Sequence, residues 1–272
     1  MLKKIIFYIF IFNFFATNAQ LNQEPKKITN KFFSELNDLE NITPALKKKK
    51  GFTNYEELID FIDEKVKKYP ESVSSNFIGE SQKGKKIPII YIKKKNHNDE
   101  KKLKVWMQGG LHGNEPASTE SLLYLIHLIL EDPNYNYILD KIELAISPMA
   151  NIDGSLKNDR YAANGLDLNR DHTKMMAPET KASIKAFNDF NPHVALDFHE
   201  YRPFRKDFAQ LSSFGIANPY DVMFLYTGNL NVPENIRTII DTLFVKNAKT
   251  PLDKLNLRHR HYIKSEKYKG EI

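Results

Sequence analysis

Two histidines and one glutamate in short, separate motifs are the residues best suited to hold a metal ion. His112 and Glu115 lie three residues apart in GGLHGNEPAS (109–118), directly after an apolar run, and His199 lies in DFHEY (197–201). Two imidazoles and one carboxylate are a ligand set that catalytic zinc sites use while they keep a fourth position open for water. A close pair can fix two corners of a tetrahedron from one turn, and a separate strand end can supply the third.

The spacing of a histidine and a glutamate is not diagnostic by itself. With 8 histidines and 34 acidic residues in 272 positions, chance predicts about one such pair. His97 and Glu100 have the same separation, but they lie in the charged run KKKNHNDEKK, which is typical of a solvated loop. The context of each pair therefore decides which of them belongs to a site.

Apolar runs and helical periodicities alternate along the chain. A capping box formed by Thr53 and Glu56 predicts an amphipathic helix that ends before Pro70. Further helices are predicted at about 117–130, 178–190 and 233–246, and buried strands at 87–92, 103–107, 142–147 and 194–198. This alternation predicts an α/β fold, with a doubly wound, mostly parallel or mixed sheet and helices on both faces.

The elements supply the context that separates the two pairs. Sheets of this kind bind ligands outside the carboxyl ends of their strands. His112 follows the strand predicted at 103–107, in a loop whose three glycines allow a sharp turn, and His199 follows the strand predicted at 194–198. We therefore expect His112, and not His97, to belong to the site.

Five motifs in one order resemble the zinc carboxypeptidase family. They are HGNE, NIDG, a single arginine, GLDLNRD and DFHEY, and the resemblance runs from about residue 54 to the end of the chain. The family pattern more often has proline where this chain has Ile152. The resemblance implies that His112, Glu115 and His199 bind one zinc ion per chain. It also implies that zinc-activated water hydrolyses the C-terminal bond of a peptide.

The resemblance also gives roles to residues between the zinc motifs. It makes Arg160 the arginine that polarises the scissile carbonyl and stabilises the oxyanion, and Asn169 and Arg170 the pair that holds the terminal carboxylate. Asp167 would orient the first zinc-binding histidine. The chemistry suits these roles, because a guanidinium presents a planar fork of donors to a carboxylate. A preorganised positive charge also stabilises charge that develops only in the transition state.

Each of these assignments has a structural alternative. His112 and His199 could be loop histidines with ordinary hydrogen-bond partners, and Arg170 could end a helix or form a surface ion pair. Asp167 could be a turn residue, as could Asp171. We expect structural or surface roles for the remaining histidines of the later chain, which are His127, His172, His193, His259 and His261.

The general base is not assigned. Glu200 adjoins His199, but neighbouring strand residues point to opposite faces, so we expect a structural role for it. The resembling family places this glutamate on a late strand, whereas Glu266 and Glu271 lie in a polar, lysine-rich stretch. We therefore expect the domain to be incomplete at its C-terminus and residues 20–272 to bind zinc but hydrolyse peptides slowly. A shortened but complete family member is the alternative.

The N-terminal sequence MLKKIIFYIFIFNFFATNAQ has two lysines, an apolar run and then small residues before Gln20, a pattern typical of a secretory signal peptide. A membrane anchor is the alternative, although the run is shorter than the ~20 residues that span a bilayer. We predict a signal peptide at 1–19, a polar leader at 20–51 and a catalytic domain at 52–272. The mature protein would be periplasmic or secreted, with no membrane span.

The composition limits the kinds of partner and chemistry that the chain could have. Loss of Lys3 and Lys4 with the signal peptide would lower the net charge from +6 to +4, which does not indicate a nucleic-acid partner. The chain has no cysteine, so neither disulfides nor thiolate chemistry contributes. The sequence does not indicate an oligomeric state or a side-chain specificity.

Three functions compete at this point. The first is an exported zinc metallocarboxypeptidase that acts on peptides with a free C-terminal carboxylate. The second is an N-acyl amino acid deacylase, resembling the succinylglutamate desuccinylase and aspartoacylase group, which shares the HGNE and DLNR motifs. The signal peptide argues against this second function, because such metabolites are intracellular. The third is a zinc-binding module that is inactive because it lacks the general-base glutamate.

Overall fold

A computed structural model describes much of the chain and shows two compact units. The described residues are 25–33, 40–48, 50–94, 102–204, 210, 213–216, 218–226 and 229–262. One unit holds the described residues of 40–200, and the other holds 25–33 and those from 201 onward. The predicted signal peptide lies outside the described residues, as do the His97 pair and both late glutamates. The predicted bounds of the leader and the catalytic domain therefore stay predictions.

The elements have the following bounds within the described residues. In chain order, the α-helices are α1 (Lys26–Phe32), α2 (Tyr55–Lys68), α3 (Pro116–Glu131), α4 (Pro133–Asn136), α5 (Ile152–Ser155), α6 (Leu168–Asp171), α7 (Pro178–Phe190), α8 (Glu234–Ile239) and α9 (Lys246–Lys254). A 3₁₀ turn follows α4 at Tyr137–Asp140, and a π-helical segment, Ile240–Val245, joins α8 to α9. The strands are β1 (Val73–Glu80), β2 (Lys86–Ile92), β3 (Leu103–Gln108), β4 (Ile142–Ser147), β5 (Val194–Asp197), β6 (Val222–Phe224) and β7 (His259–His261). Across this described part of the chain, no helix has both the length and the apolar character needed to cross a membrane.

The first unit is built on a mixed sheet in which five described strands pair in the order β1-β2-β4-β3-β5. β2 is antiparallel to both β1 and β4, whereas β4, β3 and β5 run parallel to one another. The register of β3 and β5 pairs Gln108 with Asp197, and the backbone N–H of Phe198 donates to the Gln108 carbonyl at 2.8 Å. These two strands therefore end side by side at one edge of the sheet.

Helices cover both faces of this sheet. On one face, Leu58 of α2 and Leu122 of α3 pack in the same core as Met107 of β3. On the other face, the Trp106 ring meets Phe187 of α7 edge-on, with 5.6 Å between ring centroids. Each fully buried side chain of this size stabilises the fold by about 1.5–3 kcal/mol. The predicted fold class, an α/β fold with a mixed sheet and helices on both faces, is confirmed.

The predicted start of α2 is wrong by one residue. The capping box consists of Asn54 and Glu57, because the Asn54 side chain accepts from the Glu57 N–H at 2.9 Å and the Glu57 side chain accepts from the Asn54 N–H at 2.8 Å. The N–H of Thr53, the residue expected to cap this helix, instead donates to Glu120 of α3 at 2.7 Å. A contact distant in sequence therefore sets the register of the cap.

The second unit contains a small parallel sheet and an ion pair. β6 pairs with β7, and the guanidinium of Arg258 donates to both carboxylate oxygens of Asp221, at 3.1 and 3.2 Å. Phe32 of α1 packs edge-on against Phe214 at 5.3 Å. The helix predicted at 233–246 continues beyond its expected end, through the π-helical segment and α9, to Lys254.

Candidate metal centre and substrate site

The loop between β3 and α3 is rich in glycine because its backbone makes close approaches and sharp turns. A Cβ atom on Gly113 would lie 2.1 Å from the carbonyl carbon of Gly154 in α5, a distance that no side chain tolerates. Gly110 has a φ of +63°, in the left-handed region that glycine adopts most readily. The loop glycine of GGLHGNE therefore packs directly against the glycine of NIDG, and this close packing helps to set the position of His112.

The acidic residue of NIDG has a structural task. Asp153 is buried, and its two oxygens accept hydrogen bonds from Ser81 Oγ at 2.9 Å and from the Lys83 N–H at 3.0 Å. Asn151 caps α5 by accepting from the Gly154 N–H at 3.0 Å. The motif thus fastens α5 to the turn between β1 and β2, which supports the loop that carries His112.

The three residues expected to bind a metal come together at the shared end of β3 and β5. Nδ1 of His112 lies 2.8 Å from Oε1 of Glu115, and Nδ1 of His199 lies 2.8 Å from Oε2 of the same carboxylate. One donor atom from each of the three residues can be chosen so that all lie within 4.8 Å of one another. His112 is only 3% exposed, Glu115 is half-buried and His199 is exposed, so the centre is open on the side of His199.

Asp167 has contacts that are compatible with both roles considered for it, a turn residue and a partner of His112. It caps α6 by accepting from the Asn169 N–H at 2.9 Å, and the same oxygen lies 3.3 Å from Nε2 of His112. Its other oxygen accepts from Nε and Nη2 of Arg160 at 3.1 and 2.9 Å. Nη1 of Arg160 lies 3.3 Å from Nδ1 of His112. Asp167 therefore fixes both the first histidine and the arginine beside it.

The GLDLNRD motif brings Asn169 next to the third expected ligand. Nδ2 of Asn169 lies 3.4 Å from Nε2 of His199. Arg170 is exposed, and its guanidinium has no hydrogen-bond or ion-pair partner among the residues that the structure describes. Asp171 is a turn residue, because its buried carboxylate accepts from the N–H groups of Met176 and Ala177 at 3.0 and 2.8 Å.

Glu200 joins two parts of the site. Its side chain accepts from the Ala117 N–H in the first turn of α3 at 3.0 Å, and its backbone N–H donates to Oε2 of Glu115 at 3.1 Å. A carboxylate is favoured at a helix N-terminus, where N–H groups lack partners within the helix. These contacts agree with the structural role expected for Glu200.

The histidines that the sequence analysis set aside have partners other than the three residues of the centre. Nδ1 of His193 accepts from the Lys104 N–H at 2.9 Å, and Nδ1 of His172 donates to the Leu168 carbonyl at 2.8 Å. His127 lies between Lys65 and Glu131, His259 lies beside Asp253, and His261 lies beside Lys249.

Asp197 has no role in the sequence analysis, yet it contacts the site. One of its carboxylate oxygens lies 3.0 Å from Nε2 of His199. The signal in the sequence is the spacing, because residues two apart on a strand point to the same face. That spacing gains meaning only when the pairing of β5 with β3 places both side chains at the edge.

Burial and hydrogen bonding act in opposite directions on the acid–base groups of the centre. Burial alone would raise the pKa of Glu115, but its contacts with His112 and His199 outweigh burial and lower that pKa to about 2. Burial would lower the pKa of His199, but Asp197 and Glu115 raise it to about 9. Burial likewise opposes the shift at Asp167, whose pKa Arg160 holds below its usual value. The environment thus favours an ionised carboxylate at the centre and positive charge beside it.

The donors of the centre suit a divalent cation. Each Nε2 faces a carboxylate, so the proton of a neutral imidazole would lie on Nε2 and be donated to that carboxylate. Both Nδ1 atoms then direct lone pairs towards the Glu115 carboxylate, an arrangement that repels unless a cation or additional protons lie between. Two imidazole nitrogens and one carboxylate oxygen are a set that zinc accepts, with a further position free. The residues present therefore fit a zinc ion.

Comparisons with known proteins agree with this chemistry. The family model described as zinc carboxypeptidase matches residues 58–197, about half of the chain. "Probable carboxypeptidase 2" of Arthroderma benhamiae is 34% identical over 192 residues, which cover 67% of this chain and 35% of that protein. "Carboxypeptidase 2" of Trichophyton rubrum is 35% identical over 188 residues, covering 67% and 34%. The chain spans about a third of the length of these relatives.

A solved structure shows a similar fold. Carboxypeptidase A from Helicoverpa armigera superposes with a TM-score of 0.62 at 22% sequence identity, covering 77% of this chain and 57% of that one. The similarity concerns the arrangement of the mixed sheet and its helices.

Proposed function

Because the chain belongs to the zinc carboxypeptidase family, we propose that it is an exported metallocarboxypeptidase that removes the C-terminal residue of peptides. The observation that carries the proposal is the convergence of His112, Glu115 and His199 within 4.8 Å. Asn169 lies directly beside the third of these residues. This arrangement supports a metal centre with a carboxylate-binding motif beside it at one edge of the sheet.

One zinc ion per chain would bind through Nδ1 of His112, Nδ1 of His199 and the carboxylate of Glu115. When bound, zinc supplies a Lewis acid that polarises a carbonyl and makes water nucleophilic near neutral pH. Asp167 holds the ring of His112, since it lies 3.3 Å from Nε2. The rigid loop between β3 and α3 keeps the first two ligands in fixed relation.

Asn169 and Arg170 would hold the terminal carboxylate of the substrate. The Arg170 guanidinium is exposed and has no partner in the described part of the chain, so it is available to an incoming anion. A guanidinium grips a carboxylate with two parallel hydrogen bonds, and an amide adds a neutral donor. A substrate with a free C-terminus would thereby be positioned with its last peptide bond near the ligands.

Arg160 would stabilise the oxyanion. Asp167 accepts from Nε and Nη2 of this arginine, which leaves Nη1 facing the centre, 3.6 Å from Oε1 of Glu115. The guanidinium is thus oriented before a substrate arrives, as electrostatic catalysis requires. Loss of one such donor typically slows turnover by roughly 10²–10³-fold.

The general base stays unassigned. The contacts of Glu200 with Ala117 and with Glu115 support a structural role, so Glu200→Gln should retain most of whatever turnover the parent chain has. That residues 20–272 turn over slowly stays a prediction. Vigorous turnover that is abolished by Glu200→Gln would contradict it and would identify the base.

Export rests on the N-terminal sequence. Residues 1–19 match the three-part pattern of a signal peptide, and they lie outside the described residues. Export would bring the protein to extracellular or periplasmic peptides, whereas the N-acyl amino acids of the alternative function are intracellular.

The proposed function is tested with zinc-loaded protein and three substrates. They are a peptide with a free C-terminus, the same peptide amidated, and an N-acyl amino acid, each assayed at high protein concentration so that slow turnover is measured. We expect release of the C-terminal residue from the free peptide and little or none from the other two. Equal cleavage of the free and amidated peptides would point to an endopeptidase or amidase. Preferential cleavage of the N-acyl amino acid would establish the deacylase instead.

A further inference from the structure

The two histidines of the centre have matching surroundings. Each directs Nδ1 towards Glu115 at 2.8 Å, and each has a carboxylate near Nε2. For His112 this carboxylate is Asp167 at 3.3 Å, and for His199 it is Asp197 at 3.0 Å. Of these two carboxylates, the family resemblance gives a role only to Asp167.

A carboxylate at Nε2 determines which ring nitrogen of a neutral histidine can bind a metal. Neutral imidazole carries one N–H and one lone pair, and the partner of one nitrogen decides which form predominates. Asp197 accepts a hydrogen bond from the protonated Nε2 and so leaves the Nδ1 lone pair facing Glu115. The amide of Asn169, 3.4 Å from the same Nε2, is a neutral donor and would favour the opposite form. The nearer, charged Asp197 outweighs it.

Backbone pairing holds Asp197 in place. It is the last residue of β5, paired in register with Gln108 of β3, and the next residue, Phe198, donates its N–H to the Gln108 carbonyl at 2.8 Å. Asp197 and His199 lie two residues apart, so extended backbone directs both side chains to one side. The contact therefore follows from strand geometry, which sets both groups at the site edge of the sheet.

We propose that Asp197 is a positioning residue for His199, holding its ring so that Nδ1 is presented to the metal. The proposal rests on the proposed zinc site. Carboxylate partners of this kind orient metal-binding histidines and raise their basicity, and their loss typically lowers metal affinity by roughly 10–100-fold. The centre would then have two such carboxylates, one for each histidine.

The test is the zinc dissociation constant, measured by chelator competition at fixed pH. Asp197→Ala should weaken zinc binding by roughly 10–100-fold. Asp197→Asn keeps an accepting oxygen without the charge and should fall between the parent and the alanine variant. Asp189→Ala removes an exposed carboxylate paired with Lys185 on α7 and should leave zinc affinity within about threefold of the parent. Zinc-free unfolding curves of all variants show whether reduced affinity reflects misfolding.

His199→Ala separates failure of this inference from failure of the zinc site. If His199→Ala retains full zinc affinity, the proposed site itself is wrong. If His199→Ala loses zinc affinity but Asp197→Ala stays within about threefold of the parent, only the positioning role is overturned. The double variant His199→Ala/Asp197→Ala gives the sharpest comparison. A residue that acts through His199 should cause no further loss of zinc affinity once His199 is absent. An equal additional loss in that background would show that Asp197 acts independently, against the proposal.

Discussion

At the scale of single residues, four of the carboxylates near the centre differ in task because they have different hydrogen-bond donors as partners. Glu115 faces two imidazoles, and its pKa falls to about 2. Asp167 accepts from Arg160, Asp171 from two backbone N–H groups of its own loop, and Glu200 from the first turn of α3. Their partners, and not the residue type, distinguish the proposed metal ligand from carboxylates that hold loops in place.

Arg170 should govern recognition of the substrate terminus. Arg170→Ala should weaken binding of a peptide with a free C-terminus by roughly 10–100-fold, since a hydrogen bond to a charged group contributes about 1.5–3 kcal/mol. Calorimetry on zinc-loaded protein measures this without requiring turnover. Lys174→Ala, which removes another exposed cation of the same segment, is the matched control and should bind normally. If Arg170→Ala weakened binding of the amidated and the free peptide equally, Arg170 would not be binding the terminal carboxylate.

Gly113 should tolerate no side chain. Gly113→Ala places a Cβ against the backbone of α5, so we expect a loss of at least about 2 kcal/mol in the free energy of unfolding together with weaker zinc binding. Gly84→Ala is the comparison, because Gly84 has a φ of +75° but open space around it. It should cost about 1–2 kcal/mol and leave zinc affinity unchanged. Normal zinc binding by Gly113→Ala would refute the packing account of this loop.

At the scale of elements, the order of strands and helices was predictable and several details were not. The bounds of β4 and α7 match the prediction because each is a clear run of apolar or helical periodicity. β1 was missed because Val73 is its only buried residue, so no apolar pattern marks it. The cap of α2 was ambiguous because Thr53 and Asn54 are both good capping residues, and a contact with α3 decides between them. Asp197 could not be assigned without the strand register.

The ion pair that joins α2 to α3 should make folding sensitive to acid. Lys65 is 3% exposed and contacts Glu131 at 2.5 Å. Burial would raise the pKa of Glu131, but Lys65 and Lys68 lower it from 4.5 to about 2. A depressed carboxyl pKa adds stability that is complete above the unfolded value, so this contribution should be lost as pH falls from about 4.5 towards 2.

Replacing Glu131 tests directly whether its ion pair with Lys65 makes folding sensitive to acid. Glu131→Gln should cost about 3 kcal/mol near neutral pH, because it leaves the buried Lys65 without its main partner. The difference from the parent should shrink below pH 4 in urea unfolding experiments. Glu64→Gln removes a more exposed contact of the same lysine and should change stability by no more than about 0.5 kcal/mol. A pH-independent difference would exclude the titration of Glu131 as its cause.

At the scale of the whole molecule, all candidate site residues fall within one of the two units, the one that holds 40–200. The family resemblance predicted a site from these residues, and the structure links His112, Glu115, Arg160, Asp167, Asn169 and His199 through a chain of contacts. The guanidinium of Arg170, also expected at the site, has no partner among the described residues. The second unit carries none of the assigned residues, and sequence periodicity predicted little of it beyond one helix.

The N-terminal segment should be removed on export. Expression of the full chain in a Gram-negative host should yield a mature protein outside the cytoplasm whose N-terminus, read by Edman sequencing or mass spectrometry, lies near Gln20. The two lysines followed by an apolar run and small residues provide the physical basis. An intact Met1 on a protein that stays with the membrane after an alkaline wash would instead indicate an anchor.

The central claim is that His112, Glu115 and His199 hold one zinc ion, and metal content tests it most directly. Purified parent protein, His112→Ala and His97→Ala would each be equilibrated with zinc, dialysed and analysed by atomic emission. His97 has the same spacing to a glutamate but lies in a charged run, so His97→Ala should retain one zinc per chain, as the parent does. His112→Ala should lose it, with zinc affinity lower by orders of magnitude. Undiminished one-to-one zinc in His112→Ala would contradict the account.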